Sequence, residues 1–124
     1  MKYVIAGGRD YNNFHVTEYV LNQFTNIETI ISGDARGADT QGAIYGQRHN
    51  IPVEHYPAHW DEYGKAAGYI RNAEMGEAGD ALIAFWDGQS KGTMNMIKTM
   101  KLLKKPYWIY DYQGKLVGGG NNNV

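Results

Sequence analysis

The chain has 124 residues, a net charge of −1 and an isoelectric point near 6.4, which suits one compact domain and gives no global field toward nucleic acid or an anionic membrane. It contains no cysteine, so a disulfide framework, a thiolate metal site and a cysteine nucleophile are excluded. No apolar run approaches the ~20 residues of a membrane span, and the apolar start MKYVIAGG is too short for a signal peptide, so the expected location is the cytoplasm.

Apolar periodicity predicts alternating strands and helices along the chain. YVIA (3–6) reads as a buried strand. FHVTEYVLNQF (14–24) carries apolar residues at 14, 16, 20, 21 and 24, a helical stripe, with Asn12 or Asn13 as its cap. IETII (27–31) is a second strand, and 38–49 a helix with Ala38, Ala43, Ile44 and Tyr45 inward. IPVEHYP (51–57) is a third strand between prolines. Residues 63–79 form a helix rich in small residues, and ALIAFW (81–86) is the most apolar strand. A helix over 92–104 presents Met96, Ile97, Met100 and Leu103, and PYWIY (106–110) is the fifth strand. The ending from 113 to 124, with LVGGGNNNV, reads as a flexible Gly/Asn-rich tail after a domain of residues 1–112.

Continuous apolar strands separated by helices imply a parallel sheet covered on both faces. The expected fold is therefore α/β: a single doubly wound, Rossmann-like domain of about five parallel strands. In such sheets ligands bind beyond the carboxyl ends of the strands, where the strand order reverses.

Three strand-to-helix turns on that edge carry unusual residues: GGRDY (7–11), SGDARGAD (32–39) and WDGQSKGT (86–93). Glycines and free helix N-terminal amides are how a backbone cradles phosphate or carboxylate. Two of the four arginines, Arg9 and Arg36, lie in these turns, and Arg71 lies on a helix placed at the same rim. A planar guanidinium suits bidentate contact with phosphate. Gly7, Gly8 and Arg9 are the expected first wall, with Ser32, Gly33, Arg36 and Gly37 as the second. Gly88, Ser90, Gly92 and Thr93 form the phosphate end, within reach of Arg71 and Asn72. Asp10, Asp39 and Asp87 are candidates for sugar hydroxyls or for ordering the arginines. Structural roles compete: Asp10, Asp39 and Thr93 as helix caps, Arg36 paired with Asp39 or Asp10, Arg71 on a solvated face, and Trp60, Trp86 and Tyr63 as core or interface.

Metal and nucleophile patterns are weak. Pro57 lies between His55 and His59, so helical ligand spacing fails, and neither Ser32 nor Ser90 has an evident histidine base. Neither a metal nor a cofactor is expected.

GGRDY, SGDARGAD, the segment WDEYGKAAGYIRNAEM (60–75) and DALIAFWDGQSKGTMNMI (80–97) together resemble the SLOG superfamily, which joins the Smf/DprA and Lonely Guy (LOG) proteins. The chain is most similar to its small, stand-alone YspA-like members, found in phages and bacteria. The resemblance implies a Rossmann-like fold and a pocket for a nucleotide-derived ligand such as AMP or ADP-ribose, bound for sensing or sequestration in phage–host conflict. It also suggests a homodimer or larger assembly, with the GKAAGYI helix, Trp60 and Tyr69 against a second copy. LOG enzymes hydrolyse the N-glycosidic bond of nucleoside monophosphates through an RK-x-x-M helix and a PGG-x-GT-x-x-E turn. Here the arginine is matched by Arg71 and the GT by Gly92-Thr93, but the glutamate position holds Met96. Bond cleavage builds oxocarbenium-like charge that a carboxylate stabilises and a thioether does not. Binding without turnover is thus the leading expectation. LOG-like hydrolysis, with Asp87, Asp34 or Arg71 catalytic, is the alternative. DprA-like single-strand binding comes third, because the charge balance supplies no basic stripe.

Overall fold

The computed structural model describes residues 1–121. β1 (Lys2–Gly7) lies between two parallel neighbours, β2 (Thr29–Ser32) and β4 (Ala81–Phe85). β3 (Val53–His55) extends the sheet beyond β2, and β5 (Tyr107–Tyr110) extends it in parallel beyond β4. With β6 (Leu116–Gly120) the sheet has six strands in the order β3-β2-β1-β4-β5-β6.

The central strands read as unbroken apolar runs because both of their faces are covered. Alternate residues then serve different cores. Tyr3, Ile5, Ala81, Ile83 and Phe85 pack with Val20 and Leu21 of α1 (Phe14–Leu21) and with Ala38 and Tyr45 of α2 (Ala38–Arg48). Val4, Ala6, Leu82 and Ala84 pack on the other face. Their partners are Met75 of α4 (Ala67–Ala78) and Met96, Ile97 and Met100 of α5 (Lys91–Leu103). α4 is preceded by a short helix, α3 (Trp60–Tyr63), and a 3-10 turn at Gly64–Ala66.

This is the expected α/β architecture, with local differences that have physical causes. α1 stops at Leu21 rather than at 24: tight turns follow, in which Gln23 N donates to Val20 O and Phe24 N to Leu21 O, each at 3.1 Å. Phe24 still reaches the core, edge-on to Tyr3 and Trp108. α2 turns a different face inward than expected: Ala38, Gln41, Gly42, Tyr45 and Gly46 rather than Ala43 and Ile44. Glycine lets the helix approach the sheet, since a Cβ on Gly42 would sit 2.7 Å from Ile5 Cβ. α3 was not expected at all.

The segment expected as a flexible tail instead returns as β6, antiparallel to β5, with Gly118 opposite Ile109 and Gly120 opposite Tyr107. A turn built on Asp111 makes the reversal: its Oδ1 accepts from Gln113 N and Lys115 N, both at 2.9 Å. Residues 122–124 of that tail lie outside the described residues. Among the described residues no helix is long and apolar enough to cross a membrane.

Candidate functional site

Because α1 leads from β1 to β2 on one side and α5 leads from β4 to β5 on the other, the chain diverges at the carboxyl ends of β1 and β4. Divergence there opens a cleft, as the topology requires. Its volume is about 450 Å³, within the usual range of small-molecule sites, roughly 300–1,000 Å³.

Ten of the residues singled out from the sequence line this cleft. Gly7, Gly8, Arg9 and Asp10 follow β1, Asp39 comes from α2, and Arg71 and Asn72 from α4. Ser90, Gly92 and Thr93 start α5. A second lobe of about 320 Å³ adjoins it and holds Gly33, Asp34 and Arg36, with Arg9 and Arg71 lining both lobes. All three rim arginines therefore stand on one side of the molecule. Ser32, Gly37, Asp87 and Gly88 line neither lobe.

The residues outside the lobes shape the loops. Ser32 is buried, donating through Oγ to Asp39 O and accepting from Asp34 N, both at 3.2 Å. Gly37 has φ 79°, and a Cβ there would lie 2.2 Å from the carbonyl oxygen of Gly8. It lets the loops after β1 and β2 touch, and Ala38 N donates to that same carbonyl at 3.2 Å. Asp87 Oδ1 accepts from Gln89 N and Ser90 N, both at 2.9 Å, which holds its carboxyl below the usual carboxylate range. Its charge is committed to the turn carrying Gly88, ahead of α5.

The start of α5 is capped only in part. Ser90 Oγ accepts from Thr93 N at 3.4 Å and lies 3.0 Å from Thr93 Oγ1. Thr93 thus serves the cap while lining the cleft. The amides of Lys91 and Gly92 have no acceptor among the described residues. Free amides at a helix start, reinforced by the helix dipole, attract an anion.

Arg71 is held in place. Its Nη1 donates to the carbonyls of Gly33 and, at 3.5 Å, Tyr56, and its Nε donates to Asn72 Oδ1 at 3.2 Å. Nη2 has no partner among the described residues. Asn72 donates in turn to Gly92 O at 3.2 Å and Asn95 Oδ1 at 2.9 Å, fastening α4 to the start of α5. The side chains of Arg9 and Arg36 make no hydrogen bond or ion pair among the described residues, so Arg36 does not pair with Asp39 or Asp10. Asp10 instead accepts from Tyr112 Oη at 2.5 Å; burial and that bond push the Tyr112 phenol up.

Asp39 is the buried carboxylate of the cleft, 5% exposed. Burial pushes its carboxyl up to about 6, against the opposing pull of the Ala35 amide, which donates to Oδ2 at 3.3 Å, and of the Arg71 charge. A Cβ on Gly33 would lie 2.6 Å from Arg71 Nη1 and 2.7 Å from Asp39 Oδ2, which shows how closely the two converge. Asp34 belongs to the second lobe. It adopts φ 62°, and its Oδ1 lies 2.6 Å from His55 Nδ1.

Met96, where LOG enzymes carry glutamate, does face the cleft, beside Met75. Sequence reasoning missed Lys65 and assigned Trp60 and Tyr69 to packing; all three line the cleft, the aromatics each 51% exposed. The available signal was position: WDEYGK directly precedes the helix of Arg71. Among the described residues no group of three His, Cys, Asp or Glu is placed to hold a metal ion.

An open, largely parallel α/β sheet with a cleft at its switch point defines a Rossmann-like class of fold. Within that class the chain belongs to the YspA, cpYpsA-related SLOG family, whose model matches residues 1–63, including the loops after β1 and β2. The Gene 61 protein of Mycobacterium phage D29 is 39% identical over 75 residues, a match covering 56% of this chain and 60% of that protein. The chain thus spans less than two thirds of the curated relative it matches. No solved structure matches.

Proposed function

We propose that this protein captures a phosphorylated, nucleotide-derived small molecule in the main cleft, as a sensor or sequestering protein in the cytoplasm of a phage-infected bacterium. One observation carries the reading: unpaired Arg9, Arg71 with its open Nη2 edge, and Gly92 with its free amide at the start of α5 line one cleft at the switch point. The phosphate docks on the α5 amides and Arg71. The nucleoside lies along the apolar wall of Met75 and Met96, with Trp60 and Tyr69 available for stacking. Family membership and the phage relative support the setting. Calorimetric titration and thermal shift with AMP, ADP-ribose, cyclic ADP-ribose isomers and NAD test it. Stabilisation by at least one is expected; none by any phosphorylated ligand overturns the reading. A homodimer or larger assembly, formed through the GKAAGYI helix flanked by Trp60 and Tyr69 so that the cleft lies near the interface, goes with it and is tested by light scattering.

Asp39 favours a second reading, LOG-like hydrolysis of a nucleoside monophosphate. Met96 removes the expected carboxylate from one wall, and Asp39 supplies one from another. Ionised, it suits an oxocarbenium-like sugar. Release of free base from nucleoside monophosphates, lost in Asp39→Asn, supports this reading; no release excludes it.

A further inference from the structure

The hairpin that completes the sheet sends one side chain back to the cleft wall. Tyr112 stands in the turn between β5 and β6, and its Oη donates to Asp10 Oδ1 at 2.5 Å from a position 102 residues further along the chain. Asp10 lines the main cleft. We infer that Tyr112 is a positioning residue: it fixes Asp10 so that the second carboxylate oxygen accepts from a hydroxyl of the bound sugar, and the cleft thereby prefers ribose over deoxyribose ligands. This inference rests on the proposed function of the main cleft and adds what the C-terminal hairpin contributes to it.

Tyr112 is itself held in place. Its ring meets Tyr11 edge-on at 5.1 Å, and Tyr11 stacks on Phe85 of β4 at 4.6 Å. Its turn is closed by Asp111, whose Oδ1 accepts from the amides of Gln113 and Lys115. A donor locked by packing imposes its direction on the group it binds. Gly8 leaves the phenol its path: a Cβ there would lie 1.8 Å from Tyr112 Oη and 2.8 Å from Asp10 Oδ1. The second glycine of GGRDY is therefore accounted for by this contact. Burial and the neighbouring Asp10 push the phenol up, so it keeps its proton and remains a donor at any ordinary pH. Asp10 is exposed, and its Oδ2 has no partner among the described residues. Among those residues only Asp10 and Asp39 bring carboxylates to the main cleft, and Asp39 is buried with Oδ2 accepting from Ala35 N. An ionised carboxylate accepts and cannot donate, so Asp10 suits a hydroxyl and repels a phosphate. It marks the sugar end of the cleft, away from the amides of α5.

Calorimetric titration of the full chain with AMP, 2′-deoxy-AMP and 3′-deoxy-AMP, repeated for Tyr112→Phe and Asp10→Ala, tests the assignment. The wild type is expected to bind AMP at least about tenfold more tightly than one of the deoxy forms, the loss of one hydrogen bond to a charged acceptor. Tyr112→Phe keeps the ring and removes the donor. It is expected to cut that preference to about threefold or less, while leaving the affinity for the disfavoured deoxy form within about twofold and the unfolding temperature unchanged. Asp10→Ala is expected to abolish the preference. Equal binding of AMP and both deoxy forms by the wild type overturns the sugar contact. A preference undiminished in Tyr112→Phe, or an equal weakening of AMP and the deoxy forms, overturns the positioning role. Each of these results leaves the main cleft as an AMP site, so this inference fails separately; binding of none of the three removes it together with the proposed function.

Discussion

Replacing Asp39 with Asn removes a charge that the fold holds at a cost. In the folded chain its carboxyl titrates near 6, whereas the unperturbed value is 3.8. Below about pH 4 the carboxyl is protonated in both states and contributes nothing. Between about 4 and 6 the unfolded chain has released its proton and the folded chain still holds it, so stability falls as pH rises. Above 6 the folded chain carries the buried carboxylate at full cost, about 3 kcal/mol for a shift of this size. Asparagine keeps the shape and still offers an oxygen to the Ala35 amide. Urea unfolding of both proteins at pH 4, 5, 6 and 7, at fixed ionic strength, gives a difference curve free of the contributions of other carboxylates. The variant is expected to match the wild type at pH 4 and to exceed it by up to about 3 kcal/mol at pH 7. A variant less stable at pH 7, or a difference independent of pH, refutes the reasoning: Asp39 is then a net-stabilising partner of Arg71. If the cost is confirmed, a destabilising charge is being kept in the cleft, which points to ligand contact rather than folding.

Arg9→Ala and Arg71→Ala should each weaken binding of a phosphorylated ligand by about 1.5–3 kcal/mol, read by calorimetry; wild-type affinity in both removes them from the site. Gly92→Leu projects a side chain from the cleft wall into space where no atom lies within 4 Å of the new Cβ. It should leave unfolding unchanged while lowering affinity at least tenfold in the same titration. Gly42→Ala should destabilise by about 1 kcal/mol in urea, because overpacking against Ile5 exceeds the gain in helix propensity. Lys105→Met should cost about 1.5–3 kcal/mol in the same assay, since Nζ donates to the carbonyls of Gly76, Glu77 and Gly79 at the end of α4.

Strand and helix types were legible in the sequence because the central strands are apolar throughout and α5 shows its stripe of Met96, Ile97 and Met100. The face of α2 was not, because Gly42, Gly46 and Gln41 carry no apolar signal; their burial follows from how closely the helix sits on β1 and β3. β6 was hidden for a similar reason. A glycine-rich strand has few side chains to pattern, and it forms because β5 presents an open edge.

The sequence by itself determined a parallel α/β sheet whose carboxyl edge gathers Arg9, Arg36, Arg71 and the start of α5, since alternation of elements and the residues of each turn are local properties. Only the tertiary structure decided which of these groups line the cleft. Asp87 spends its charge on two backbone amides, Asp39 is buried beside Arg71, and Arg36 falls in a separate lobe. Those roles depend on hydrogen-bond partners and burial supplied by loops distant in the chain, which no spacing along the sequence encodes.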